Sequence, residues 1–328
     1  MRQDVLDFLL RNQHQFISGQ KISEECGITR TAVWKHIQVL RQRGYVIESY
    51  TKRGYCLIEA PELLPPERVY DGLKTQVFGC DVQYFEKVDS TNNVAKKLAE
   101  DGAREGTIVL AEEQSGGRGR LSRGWYSPFA KGIWFSLILR PPFMPMEASK
   151  MTLLAAVALT KAFHKVGLIE SGIKWPNDIL VKGRKIVGIL TELSASMEHI
   201  NYVVMGIGIN TGLAKRDLSK DLKKISTSFL IENVPVSRKA LFQEVLFQLE
   251  QYYAIACTSG FDKILAEWKI LSVTLGQDVE VTMPDRAFTG KAIDLNDSGH
   301  LLVETETGIE TVLAGDVKVR PVAVEPTN

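Results

Sequence analysis

The sequence predicts an α+β protein in three parts: a winged helix-turn-helix, a central mixed β-sheet with helices, and a small C-terminal β-barrel. Three observations carry this. The first 58 residues order short helical stretches, a turn and two strand-like runs. From Val82 to Ile209, strands joined by tight turns alternate with helical stretches. After Leu275 only short strands and turns remain.

In the first part, Val5, Phe8 and Leu9 have helical spacing, residues 21–26 make a short helix stopped at Gly27, and a second helix begins at Thr29 as its N-cap. Val33, Ile37 and Leu40 form the inward stripe of that second helix, which leaves Arg30, Thr31, Lys35 and Gln38 on its outer face. Residues 45–50 and 55–58 read as strands around Thr51-Lys52-Arg53-Gly54, a hairpin turn tipped with positive charge. Between residues 21 and 54 seven Lys or Arg stand against three Glu, inside a chain of net charge +1. The basic excess is therefore local, and it suits a helix held in a DNA major groove by phosphate contacts from cations such as Arg30, Lys35, Lys52 and Arg53, while short polar side chains such as Thr31 reach base edges. A solvated basic face on an ordinary helical hairpin is the bland alternative.

Residues 59–67 carry three prolines and no periodicity, the composition of a semi-rigid linker. Beyond it the pattern predicts strands at 82–88, 107–112, 132–139, 178–181, 185–193 and 200–209. Helices are expected at 93–103 and 149–166, and through 216–271. Short strands at 278–283, 288–295, 300–306 and 309–313 predict the barrel. The expected domains are residues 1–60, a linker at 61–68, a central domain at 69–271 and the barrel at 272–328.

A hydrophobic content of 45% is enough to bury these cores. The four cysteines lack CxxC spacing, and the histidines lack metal-ligand spacing, so neither a disulfide framework nor a protein-built metal site is expected. Acids interrupt the apolar N-terminus and no long apolar run follows, so no membrane segment is expected and a reducing cytosol fits best.

Three motifs carry chemistry. Gly116, Gly117 and Gly119 interleave with Arg118 and Arg120, which combines close backbone approach with planar, permanently charged forks suited to phosphate. The loop lacks the Gly-Lys-Ser/Thr ending of a Walker loop, and a structural turn is its alternative. In Lys174-Trp175-Pro176-Asn177-Asp178 the proline holds charged and amide groups on a rigid connection, where they can bind a metal or triphosphate through water or simply form a turn. Lys185 either faces solvent or meets a carboxylate and an α-phosphate, depending on which side of its strand it occupies. Two weaker signals accompany these. Ser90-Thr91-Asn92 serve either as helix caps or as ligand groups, and Gly206-Ile207-Gly208-Ile209-Asn210 lets a ligand lie against a strand.

In their order, Ser90-Thr91-Asn92, Gly117-Arg118-Gly119-Arg120, Trp125, Lys174 to Asp178, Lys185 with Gly188, and Gly206 to Asn210 resemble the biotin protein ligases. The resemblance spans essentially the whole chain, and the leading winged helix is similar to the bifunctional ligase and biotin operon repressor class. It implies a catalytic fold like that of class II aminoacyl-tRNA synthetases, followed by an SH3-like barrel. It also implies that biotin and ATP give biotinyl-5′-AMP, which acylates a lysine of a biotin carboxyl carrier domain.

By the same resemblance, Ser90, Thr91, Asn92, Gln114, Gly117, Arg118, Gly119, Arg120, Lys185 and Gly188 bind biotin. Arg118, Arg120, Trp125, Lys174, Asn177, Asp178, Asn210 and Arg320 bind ATP or the adenylate. Arg118 and Lys185 are the expected catalytic cations, and Mg2+ is expected to arrive with ATP near Asp178. Operator DNA and an adenylate-dependent homodimer complete the implied partners. Three rivals are a lipoate ligase, which shares the fold and the adenylate strategy, a regulator whose ligase-like domain only senses a metabolite, and a DNA-independent ligase with a vestigial winged helix, which the basic helix and wing disfavour.

Overall fold

The computed structural model describes residues 2–283, 286–313 and 315–319, so Arg320 lies outside the described residues. The chain forms two compact units, Met1–Leu63 and Leu64–Asn328.

The first unit runs α1 (Arg2–Arg11), α2 (Gly19–Cys26), α3 (Arg30–Gln42), β1 (Val46–Tyr50) and β2 (Gly54–Glu59). The Ser18 hydroxyl accepts from Lys21 N at 3.1 Å and the Thr29 hydroxyl from Ala32 N at 3.2 Å, so each of α2 and α3 starts on a side-chain cap. Between them Gly27 ends α2 in the left-handed region. Val33, Ile37 and Leu40 are buried along α3, as are Val5, Leu9 and Ile22. Arg41 donates twice to Ile47 O, at 2.9 and 2.6 Å, which ties the end of α3 to the wing. Ile17 and Tyr55 exchange backbone bonds of 2.9 and 2.8 Å, stitching the α1–α2 connection onto the wing's second strand.

The second unit opens with α4 (Pro66–Tyr70), β3 (Val82–Val88), α5 (Thr91–Glu100), β4 (Ile108–Gln114) and β5 (Gly132–Leu139). It continues with α6 (Ala148–Lys165), β6 (Ser171–Lys174), β7 (Asp178–Val181), β8 (Arg184–Ala195), β9 (Ile200–Asn210), α7 (Lys220–Ile225), α8 (Arg238–Ser259) and α9 (Asp262–Leu271). The sheet order is β3-β4-β5-β9-β8-β7-β6, in which β3 runs parallel to β4 and the other neighbours are antiparallel. Helices α6, α8 and α9 bury one apolar face of this sheet, whereas Ala95 and Ala99 of α5 pack with Val109, Ile138 and Val204 on the other. With both faces covered, β5 is buried along its whole length.

The last strands, β10 (Asp278–Thr282), β11 (Ala287–Leu295), β12 (Leu301–Thr305), β13 (Gly308–Val312) and β14 (Asp316–Val319), are antiparallel in the order β13-β12-β11-β10-β14. Their apolar residues join the same core as the larger sheet. Trp175 Nε1 donates to Gly299 O at 3.1 Å and Lys150 Nζ to Asp297 O at 3.2 Å across that junction.

The structure departs from the sequence pattern at several points. Residues 216–271 are not continuously helical: 226–237 is irregular, because Asn233 adopts a positive φ of 59° and Pro235 cannot continue a helix. Thr91 and Asn92 lie inside α5 rather than capping it, and the Ser90 side chain at the cap position makes no capping bond. Strands β6 and β14 were not anticipated, since Ser171-Gly172-Ile173-Lys174 offers a single apolar side chain and no alternation. The proline-rich stretch turns into α4, with Leu64 fully buried before it. Among the described residues no helix is long and apolar enough to cross a membrane.

Candidate functional site

A cavity of about 950 Å³ opens over the middle of the larger sheet, walled by the Gly-rich loop, the segment 213–226 and β14. Its floor is set by the β8–β9 register, which places Gly188 opposite Gly208. The Trp125 indole lies directly on this pair. A Cβ on Gly208 would stand 2.2 Å from Trp125 Nε1, and one on Gly188 would stand 2.8 Å from its Cζ3, so only glycine permits the approach. Nε1 of Trp125 is buried and makes no hydrogen bond among the described residues.

The Gly-rich loop is itself a small hairpin. Gly119 N donates to Arg123 O at 2.7 Å, Trp125 N donates to Gly117 O at 2.8 Å, and Leu121 turns the tip with a φ of 53°. Arg120 donates from its two terminal nitrogens to Asn177 Oδ1 and Gly315 O, each at 3.2 Å, and Arg123 pairs with Asp316 at 2.6 Å. The loop is therefore latched to β14. Burial lowers the pKa of Arg120 from its ordinary value, against the opposing pull of Asp178 and Asp316.

Three adjacent strands build the cationic corner. Lys174 pairs with Asp178 across β6–β7, and β7–β8 brings Lys185 alongside. Lys185 Nζ lies 2.7 Å from Asp178 Oδ2 and Lys174 Nζ lies 4.0 Å from the same oxygen. Asp178 is buried, and its Oδ1 has no hydrogen-bond partner among the described residues. Burial also lowers the pKa of Lys174, with Asp178 partly offsetting it. Of the two sides open to Lys185, the structure selects the one facing the cavity.

At the other end of the cavity, Gln114 Oε1 accepts from Thr91 N at 2.8 Å and Gln114 Nε2 donates to Ser127 Oγ at 2.9 Å. Ser136 Oγ donates to Asn92 Oδ1 at 2.6 Å and lies 2.8 Å from Thr91 Oγ1. These polar groups are fixed by one another.

A model of the biotin/lipoate A/B protein ligase family matches residues 84–210, a helix-turn-helix domain model matches residues 2–56, and a model of the biotin protein ligase C-terminal domain matches residues 274–320. The chain is 39% identical over 320 residues to the bifunctional ligase/repressor BirA of Bacillus subtilis, covering 97% of this chain and 98% of that one. The chain belongs to the bifunctional ligase/repressor family. BirA of Escherichia coli is 28% identical over 308 residues, covering 93% and 94% of the two chains. The biotin protein ligase from Aquifex aeolicus in complex with biotin and ATP matches with a TM-score of 0.64 at 28% identity, over 74% of this chain and 99% of that one.

In this ligase/repressor chain, Ser90, Thr91, Asn92, Gln114, Arg118, Gly119, Arg120, Trp125, Lys174, Asn177, Asp178, Lys185, Gly188 and Asn210 all line the one cavity. Gly117 does not line it and is buried behind the loop. Asn210 spends its amide on Thr227 O at 2.9 Å, so it anchors the segment that follows. Sequence reasoning missed the apolar wall of Leu213, Leu218, Leu222 and Ile225. The i, i+4, i+7 spacing of Leu218, Leu222 and Ile225 was the signal.

On the winged helix of the family, Arg30, Thr31 and Lys35 are exposed along α3 and Lys52 is exposed at the wing tip. Trp34, not singled out from sequence, stands among them with 53% of its surface exposed. The Arg53 guanidinium lies 4.5 Å over the Phe16 ring, and Phe16 meets Tyr50 edge-on at 5.3 Å, which braces the wing.

Proposed function

We propose that this protein joins biotin to ATP as biotinyl-5′-AMP, transfers the biotinyl group to a lysine of a biotin carboxyl carrier domain, and represses transcription when the adenylate is bound. One observation carries the reading: the Gly-rich loop, the Lys174–Asp178 motif and Lys185, scattered over about seventy residues, meet in a single cavity.

In the first step a biotin carboxylate oxygen attacks the α-phosphorus of ATP and pyrophosphate leaves. Two anions must meet, so fixed cations supply much of the acceleration. Lys185 and Arg118 are assigned to the carboxylate and the α-phosphate, and Arg120 and Lys174 to the phosphates beyond. Ser90, Thr91 and Gln114 hold the ureido end, and the apolar wall with Trp125 covers the adenosine. In the second step the carrier's lysine amine attacks the acyl carbon, AMP leaves and the amine loses a proton. A closed Gly-rich loop keeps water from the mixed anhydride in between.

Among the described residues no group of three or more His, Cys, Asp or Glu is placed to hold a metal. Mg2+ would arrive with the nucleotide, Asp178 is the acid in the cavity that would hold it, and when bound it would neutralise the departing pyrophosphate. Adenylate-dependent dimerisation, operator binding by two winged helices and a cytosolic location belong to the same proposal.

The test incubates the purified protein with ATP, Mg2+ and a carrier domain, with biotin or lipoate, and reads the carrier's mass. A biotinyl gain is expected. A lipoyl gain moves the chain to its nearest enzymatic rival, and no gain with either acid leaves a metabolite-sensing regulator.

A further inference from the structure

Glu192 stands on β8 outside the lining of the cavity, in a small polar recess that it shares with Lys96, Ser194 and Tyr202. From there its carboxylate gathers three donors. Asn92 Nδ2 donates to Oε2 at 2.8 Å, Lys96 Nζ pairs with Oε1, and Arg118 Nη2 lies 3.1 Å from Oε2 and 3.4 Å from Oε1. One acid therefore holds α5 and the Gly-rich loop together from behind the ligand cavity. Burial raises its pKa, but the bonds from Lys96 and Asn92 and the charge of Arg118 outweigh burial and hold it below the ordinary carboxylate range.

We propose that Glu192 is a positioning residue that competes with the ligand's phosphate for Arg118, and so sets how long the adenylate is retained. The inference rests on the adenylate-forming reading above. Arg118 meets Glu192 through Nη2 alone, so a phosphate that draws this nitrogen, or turns the guanidinium to face it squarely, takes it from the carboxylate. The pair is partly exposed, with 40% of the Arg118 side chain and 22% of the Glu192 side chain accessible, and an ion pair of that kind is readily exchanged. Lys96 makes the exchange inexpensive. When Arg118 leaves, Lys96 and Asn92 remain on the carboxylate, so no buried charge is orphaned.

The test supplies preformed biotinyl-5′-AMP to the full chain and follows its dissociation in the parent, Glu192→Gln, Arg118→Ala and the double variant. Glutamine keeps an oxygen for the Asn92 bond and removes the competing charge. Glu192→Gln is expected to slow release about fivefold, the ratio that corresponds to an exposed ion pair of about 1 kcal/mol. In the Arg118→Ala background the same change is expected to have no effect. Loosening of the fold accelerates release instead, so the sign separates positioning from damage. Release that is unchanged or faster in Glu192→Gln, or equally slowed without Arg118, overturns the proposal. If the parent does not bind the adenylate at all, the functional reading fails, and competition is then read with inorganic pyrophosphate alone. Tighter pyrophosphate binding by Glu192→Gln, dependent on Arg118, upholds the competition, and equal binding overturns it.

Discussion

The cations of the cavity and those of the winged helix are arranged in opposite ways. Lys185, Arg123 and Arg118 each rest on a carboxylate of the protein, and Arg120 rests on an amide and a carbonyl oxygen. Arg30, Lys35 and Lys52 are exposed and make no ion pair among the described residues. The difference follows from the ligands proposed for them. A single reacting phosphate must be met by donors already in place, so the cost of fixing them is met during folding. A polyanion presents many equivalent phosphates, and density of mobile charge with counterion release is enough.

The largest effect is expected at the most constrained cation. Lys185→Ala removes the ammonium on Asp178 and leaves that buried carboxylate with Lys174, at 4.0 Å, as its one ion-pair partner among the described residues. Adenylate formation in a single turnover is expected to slow by roughly 10² to 10³ fold, as for the loss of one transition-state donor. Rates near those of the parent would remove Lys185 from the chemistry. At saturating preformed adenylate, operator binding is expected to persist, with more adenylate needed to reach it, which separates the two sets of cations.

A smaller and more uniform effect is expected on the winged helix. Arg30→Ala and Lys35→Ala should each weaken operator binding without changing ligation, and each should reduce the slope of log affinity against log salt by about 2, roughly 0.9 for each of the two copies in the bound dimer. A variant that loses affinity with an unchanged salt slope contacts no phosphate, and its residue then reads bases or shape.

The two regions were also unequally legible in the sequence. The winged helix depends on neighbours in the chain, so caps and apolar spacing located Thr29, Val33, Ile37 and Leu40 directly. The cavity depends on strand register. Motifs named Lys174, Asp178 and Lys185, but nothing local told which side Lys185 faces; the pairing of β6, β7 and β8 decides that. Glu192 and Asp316 were invisible for the same reason. Each is an ordinary acid in sequence, and each gains its part by meeting an arginine 74 or 193 residues away. Strand β6 escaped because its burial comes from the helices laid on it rather than from apolar residues of its own.

The smallest effect tests whether the recognition surface owes anything to fixed structure beneath its exposed charges. The Thr29 hydroxyl caps α3 one residue before Arg30, so Thr29→Ala leaves the Ala32 N–H without its partner. Loss of such a cap costs about 1 kcal/mol. Amide exchange in the first turn of α3 is expected to quicken roughly fivefold, while exchange in α6 stays as it was. Thr29→Ser keeps the accepting oxygen and should restore the slow exchange. Since the charges of Arg30 and Lys35 are unchanged, the salt slope of operator binding should not move, although affinity falls slightly. If the slope changes with the cap, the basic groups of α3 are held in place as firmly as those of the cavity, and the contrast between the two regions disappears.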